Sequence, residues 1–180
     1  MAFGVAARQL LAASGLDNSA WDVIDSSTLA SPAASVSFTG IDSKYKLFRV
    51  TAYIVNDGSA KNVLLRLNND SGSNYSEQRL LGSSTSVVAI RNASQTSIPA
   101  TYTQLAASES ATIEIVIGKQ LASAAAMALI STVRGGASIS KDNIAGIWAN
   151  TADLISRIDL VASVGNFAAG TVVVLEGVPD

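Results

Sequence analysis

Hydrophobic and polar residues alternate along most of this chain, and the alternation has the two-residue period of strands. The clearest run is residues 45–55. Phe48, Val50, Ala52 and Ile54 make one apolar face, and Leu47, Arg49, Thr51 and Tyr53 make a mixed face opposite. A half-buried antiparallel strand needs this division because successive side chains point to opposite sides. Asn56-Asp57-Gly58-Ser59 follows, and Asp-Gly is a strong turn signal. Residues 61–67 then alternate again, with Val63, Leu65 and Leu67 pointing one way. The two runs read as a hairpin.

The same pattern predicts further strands. Residues 34–38 place Val36 and Phe38 on one face, and residues 110–117 do the same with Ile113, Ile115 and Ile117 until Gly118 ends them. Residues 75–81 and 85–91 are extended around a Gly82-Ser83-Ser84 break, and 92–99 reads as a loop. Residues 143–150 carry Trp148, residues 155–162 alternate through Ile158, Leu160 and Ala162, and residues 171–177 form the last strand. Residues 121–133 are mixed. Their first half, 122–127, is helical by propensity, and 129–133 is strand-like before the Arg134-Gly135-Gly136 turn. Seven to nine short strands separated by turns predict an all-β, antiparallel β-sandwich, jelly-roll-like, spanning residues 21–180. Residues 1–20 form an N-terminal arm or short helix. Within it Val5, Leu10 and Leu11 are apolar, Arg8 lies on another face and Gly15 is a plausible terminator. A helix this short must pack on something, its own domain or a neighbouring subunit, which makes Val5, Arg8, Leu10 and Leu11 a candidate attachment element.

Composition narrows the chemistry. The 180 residues include no histidine and no cysteine. That removes Ser-His-Asp and Cys-His catalysis, imidazole and thiolate metal sites, and disulfides. Charged residues are 14% of the chain and the net charge is −2. This balance argues against a nucleic-acid binder, which carries a basic patch. No apolar stretch reaches the ~18 unbroken residues of a membrane helix. Arg8 inside the first apolar stretch argues against a signal peptide, whose positive charge precedes its apolar region. Most of the 14 acids fall in turns or on polar strand faces, where solvated carboxylates lie. No facing pair is legible as glycosidase machinery. The run 68–74 is rich in side-chain oxygens, but it lacks the twelve-residue spacing and terminal Glu of a calcium loop. No phosphate-binding glycine motif occurs. These observations predict a protein that is not an enzyme and that uses no metal or cofactor. Exposed aromatics could stack on sugars, with Tyr75 the foremost candidate because it follows a polar turn. The plainer expectation is that Tyr75 packs across the sheet while its hydroxyl bonds the loop.

Two motifs go further. The first is Leu64-Leu65-Arg66-Leu67-Asn68-Asn69-Asp70-Ser71-Gly72-Ser73-Asn74-Tyr75. The second is Ile155-Ser156-Arg157-Ile158-Asp159-Leu160, then Gly165-Asn166-Phe167-Ala168-Ala169-Gly170-Thr171 and Val174-Leu175-Glu176-Gly177. Together they resemble a β-sandwich module that recurs in tailed-bacteriophage virion proteins, over roughly residues 21–177. In that module a strand ending in Arg-Phe/Leu-Asn meets an Asp-Ser/Thr-Gly-x-Asn-Tyr turn, and the closing strand carries a tyrosine where this chain has Glu176. The resemblance implies a structural role for Arg66, Asn68, Asp70, Gly72, Asn74 and Tyr75 in the turn, and for Gly165, Phe167, Gly170 and Thr171 in the closing strand. On physical grounds Asn68 and Asp70 can satisfy backbone donors, Gly72 can let the turn close, Arg66 can pair with Asp159 or stack on Tyr75, and Phe167 can anchor a reversal between two glycines. The resemblance also implies a virion protein assembled in the bacterial cytoplasm, a capsid decoration or head-appendage protein. Its partners would be itself, with a trimer favoured, and the major capsid protein or another virion protein. A tail-associated receptor- or carbohydrate-binding module is the alternative.

Overall fold

The computed structural model describes residues 20–83, 85–102, 104–107, 109–119, 123–136 and 139–179. They form twelve strands and, among the described residues, no helix. The strands are β1 (Asp22–Thr28), β2 (Ser35–Thr39), β3 (Tyr45–Val55), β4 (Val63–Leu67), β5 (Tyr75–Ser83), β6 (Ser86–Gln95), β7 (Ile98–Pro99), β8 (Ser110–Gly118), β9 (Ala126–Gly135), β10 (Ile139–Trp148), β11 (Arg157–Ala162) and β12 (Val172–Pro179). Two sheets result. One has eight strands in the order β1-β12-β3-β8-β9-β10-β5-β6, and the other has four in the order β2-β11-β4-β7. Every pairing is antiparallel. The β-sandwich expected from the alternation is present, with more strands than the seven to nine predicted. Residues 1–19, where the arm or helix is expected, lie outside the described residues.

The alternation decides which face each strand buries. Phe48, Val50, Ala52 and Ile54 of β3 are buried, as are Val63, Leu65 and Leu67 of β4, and Ile113, Ile115 and Ile117 of β8. In the large sheet Val50 sits opposite Leu175 on one side and Ile115 on the other. The small sheet answers with Val36, Phe38, Ile158 and Leu160. The two apolar faces close one continuous core.

Three expectations need correction. First, β3 and β4 are not a hairpin. β3 pairs with β12 and β8 in the large sheet, and β4 pairs with β11 and β7 in the small one. Two alternating runs joined by a turn look the same whether the chain returns within one sheet or arches over to the facing sheet, because both faces end in the same core. Asn56 commits the arch: its side-chain amide donates to the carbonyls of Leu105 (2.9 Å) and Ala106 (2.6 Å), outside both strands. Second, the helical reading of 122–127 finds no helix in its described residues 123–127, and its last two are strand. Ala126 and Met127 open β9, held by pairing to Trp148 and Ile147 of β10. Ladder hydrogen bonds outweigh alanine's helix propensity there. Third, 92–99 is not wholly loop, since β6 continues to Gln95 and β7 occupies Ile98–Pro99.

A buried lysine joins three connections. Lys61 is fully buried, and its ammonium donates to the Asp57 carboxylate and the Asn166 carbonyl. The Lys61 backbone exchanges hydrogen bonds with Leu105. The other oxygen of Asp57 accepts the Asn166 N–H at 2.8 Å. Gly165, at φ +64, passes so close that a Cβ there would lie 3.2 Å from Asp57 Oδ2 and 3.3 Å from Lys61 Nζ. The arch, the 100–109 segment and the 165–170 loop are thus tied at one point.

Two outcomes follow from this packing. Lys61, then the Ser59 and Asn166 N–H groups, pull the Asp57 carboxyl down from 3.8 to about 2. A depressed carboxyl contributes stability above its unfolded value and loses it on protonation in the fold. Urea midpoints of Asp57→Asn should lie below those of the parent at neutral pH. The gap should shrink as pH falls from about 4 to about 2 and vanish below. A constant gap across that window would refute the assignment. At the sheet interface, a Cβ on Gly146 would come within 2.6 Å of Ile98 Cδ1, 3.0 Å of its Cγ2 and 3.1 Å of its Cγ1. Gly146→Ala should therefore cost about 1–3 kcal/mol by overpacking, and Ile98→Val in the same chain should recover part of it, as thermal or chemical unfolding will report.

Candidate interaction surface

The turn that carries the first motif is a network of short hydrogen bonds. Asn68 and Asn69 take positive φ, 53° and 54°. Asparagine tolerates that region because its short polar side chain bonds locally. Asn68 Oδ1 accepts the N–H groups of Ser156 (2.9 Å) and Arg157 (3.1 Å), and its amide donates to the Leu154 carbonyl at 2.8 Å, so the turn is fastened to the start of β11. Asp70 accepts from the Gly72 N–H, from Asn74 Nδ2 and from the Trp148 indole N–H, at 2.8, 2.8 and 2.7 Å. The Trp148 bond above all, with those of Asn74 and Gly72, holds the Asp70 carboxyl below its ordinary value. Gly72 is needed for space, since a Cβ would stand 2.9 Å from Asn74 Nδ2 and 3.1 Å from Asp70 Oδ1. Tyr75 is fully buried. Its hydroxyl accepts the Leu67 N–H at 3.1 Å and lies 3.2 and 3.1 Å from the carbonyls of Leu67 and Asp70, while burial pushes its pKa up to about 12. Arg66 stands opposite Asp159 in the β4–β11 register, but Asp159 takes Arg157 instead, at 2.8 Å.

The closing motif is likewise internal. Phe167 is fully buried between Gly165 (φ +64) and Gly170 (φ +87), and its backbone bridges to Ala33 and Asn56. Thr171 Oγ1 accepts the Val55 N–H at 3.0 Å. The ten motif residues form two linked fastenings at the ends of the small sheet rather than one site. Val5, Arg8, Leu10 and Leu11 lie outside the described residues.

The solvated acids of the sequence reading are partly buried ones. Glu77, Glu109, Asp142 and Asp159 are all buried. Three of them join one polar corner on the inner face of the large sheet, where β9, β10 and β5 extend past the small sheet. Arg134 pairs with Glu109 at 2.9 Å, and Arg79 with Glu77 at 3.3 Å. The Arg79 guanidinium stacks 3.8 Å from the Tyr102 ring centre. Asp142 accepts the Tyr102 N–H at 3.1 Å, and Thr132 donates to the Ala100 carbonyl at 2.6 Å. Burial raises the Asp142 carboxyl, with Tyr102, Arg134 and Arg79 opposing the rise. The chain segment around residues 100–109 is thereby sealed onto the sheet. Sequence reasoning missed this corner because each of these charges occupies an ordinary strand position. The one available signal was that they fall on the inner phase of their alternation, as Arg79 does between buried Glu77 and Leu81.

The outer face of the same strands is different. Met127 and Leu129 of β9 are 65% and 63% exposed, and Val133, Leu80 and Ile147 are exposed beside them. Register joins Met127, Leu129 and Ile147 in one cluster, whereas Leu80 stands opposite Asn143 and Val133 opposite Lys141, whose ammonium donates to Ser131. Met127 is opposite Ile147, and Leu129 lies between Val116 and Ala145. Tyr75, the foremost aromatic for sugar stacking, is buried, as is Trp148, while Tyr53 is exposed on the outer face of the large sheet. Among the described residues no group of three or more acids is placed to hold a metal ion. No described helix is long and apolar enough to cross a membrane.

No family model and no curated protein matches the chain. Among solved structures, it is similar to a protein of unknown function from Shewanella oneidensis MR-1, at 9% identity and a TM-score of 0.23, covering 90% of this chain and 76% of that one. It is also similar to the lectin UEA-II complexed with galactose and to lectin II from Ulex europaeus. Each of these is 6% identical over 86% of this chain and 99% of the other, with TM-scores of 0.20 and 0.19. Likeness at this level carries neither ligand nor role to this chain.

Proposed function

We propose that this chain is a non-enzymatic structural protein of a bacteriophage virion, a capsid decoration or head-appendage protein that acts through protein–protein contacts as a homo-oligomer. The observation that carries the reading is the exposed apolar cluster of Met127, Leu129 and Ile147 on the outer face of the large sheet. Soluble monomers rarely leave contiguous apolar area of this kind open, and such patches mark contact surfaces. The turn and closing motifs that resemble the virion module support it from the sequence side. Their side chains are spent on holding the sandwich together, which suits a scaffold whose work is done by its faces. Low charge fits the same role, because few desolvated charges oppose contact.

Co-sedimentation with purified capsids of the parent virus, together with mass by light scattering, tests the proposal. The chain should bind shells and exceed monomer mass. Met127→Lys with Leu129→Lys should weaken shell binding at least about tenfold (1.4 kcal/mol) without lowering the unfolding midpoint, since both side chains are exposed. Deletion of residues 2–15 should abolish shell binding. A monomer without affinity for shells, or one that binds a glycan array and no shell, would overturn the reading in favour of a tail-associated carbohydrate-binding module.

A further inference from the structure

Among the described residues the sandwich has four edge strands, and three are guarded. β1 carries Asp22 and Asp25 and a register break between Val23 and Asp25. β7 is two residues long and contains Pro99. β2 has five residues, and its side chains alternate between buried apolar and exposed Ser35, Ser37 and Thr39. Short length, inward or edge charge, proline and bulges are the devices that keep sheet edges from pairing. β6 has none of them over most of its length. Its ten residues read SVVAIRNASQ, nearly all exposed, with Arg91 the lone charge. Val87 is 76% and Val88 42% exposed. One side of β6 is paired with β5, and the order of the sheet ends there, so among the described residues no strand takes up the other row of backbone N–H and C=O groups.

We infer that β6 pairs antiparallel with β6 of a second copy of this chain, joining two eight-stranded sheets edge to edge about a two-fold axis. The position of that axis follows from the regular part of the strand. β6 begins at Ser86, and its ladder with β5 is in register up to Asn92, opposite Glu77. Beyond Asn92 the register shifts, and Ser94 takes φ 56°. The midpoint of Ser86–Asn92 is Ala89. A two-fold axis there places each Val88 opposite the partner's Ile90 on the inner face. On the outer face it places each Arg91 opposite the partner's Val87. β-branched cross-strand pairs of this kind stabilise a ladder. The two Arg91 positions fall four residues apart, about 13 Å at ~3.3 Å per residue, beyond the screening length of about 8 Å at physiological salt. An axis at Arg91 would set the two guanidinium groups face to face. Charge therefore selects against that register and permits the one centred on Ala89.

This inference deepens the homo-oligomer part of the proposed function, and its failure can be told apart from failure of that reading. The absence of native cysteine makes a single introduced thiol an unambiguous probe. Across the axis, Ala89→Cys sets two thiols on Cβ atoms about 4.5–5.5 Å apart. A short bis-maleimide should then link Ala89→Cys chains into dimers. It should leave Arg91→Cys chains, whose thiols stand about 13 Å apart, unlinked. Light scattering should report dimer mass or an even multiple for the parent chain. Ala89→Lys should halve it by opposing two cations at the axis, and mixing Ala89→Lys with Ala89→Glu should restore it. Equal linking at both positions, a trimer, or a monomer at high protein concentration would overturn the edge pairing. A trimer that still binds shells would leave the virion reading standing, whereas a dimer with the expected cross-linking and no affinity for shells would remove that reading and keep the pairing.

Discussion

An eight-stranded sheet presents about twice the inner surface that a four-stranded sheet can cover at the roughly 10 Å spacing of packed sheets, and this mismatch governs the rest of the molecule. Over β12, β3 and β8 the small sheet supplies apolar side chains and the interior is dry, with Val50, Ile54, Ile113 and Ile115 fully buried. Toward β10 and β5 the small sheet is reduced to the two residues of β7. The inner face there is covered by a stretch without long strands, of which residues 100–102 bond the sheet directly. A covering segment of that kind brings backbone groups that need partners. That is the physical reason for polar inner residues at this corner: Thr132 takes the Ala100 carbonyl, and Asp142 takes the Tyr102 N–H. Arg134 and Arg79 then balance the buried acids.

The same mismatch explains why the fastenings are concentrated where they are. The arch from β3 to β4 must cross from one sheet to the other, and it does so beside the 100–109 segment. Lys61 fixes the arch to the loop before β12 with its buried ammonium and to Leu105 through its backbone. At the other end of the small sheet, Asn68 and Asp70 tie the β4–β5 connection to β11 and to Trp148 of β10. Buried charge is costly unless it is paired and hydrogen-bonded. Lys61 meets that condition, and the partly buried Asp70 carboxylate is hydrogen-bonded on both oxygens; they hold segments 105 and 78 positions apart in sequence, respectively.

Strand positions and their buried phase were legible because a period of two is a local signal. Residues 45–55 match β3 at both ends, and every residue assigned there to the apolar face is buried. The internal roles of Tyr75 and Phe167 were also readable, since a turn former precedes the first and glycines bracket the second. Strand partners were not readable. Asp57-Gly58 marks a reversal of the chain without saying which sheet the chain reverses into, and that choice rests on Asn56 and Lys61 reaching Leu105, some fifty residues on. The polar corner was illegible for a related reason. Glu77 and Asp142 carry the residue types of a solvated face, and only the size of the opposing sheet, a property of the whole topology, turns that face inward.

The overhang joins the buried and the exposed halves of the argument. β6 is the outermost strand of the large sheet and gains little from the core: Ile90 is half-buried and Val88 open. What holds β6 to the body is its ladder with β5 and the bond from Asn92 to Glu77 at 2.8 Å, which is itself paired to Arg79. The polar corner therefore positions the edge strand as well as sealing the segment above it. A strand so placed has apolar side chains and, among the described residues, a row of backbone groups with no strand beside it. Any partner that completes its ladder would also cover Val88 and Ile90 on the inner face and Val87 on the outer. Backbone pairing and apolar burial then act at one boundary, and a low-charge sequence lets both proceed without desolvating more than a single guanidinium per chain.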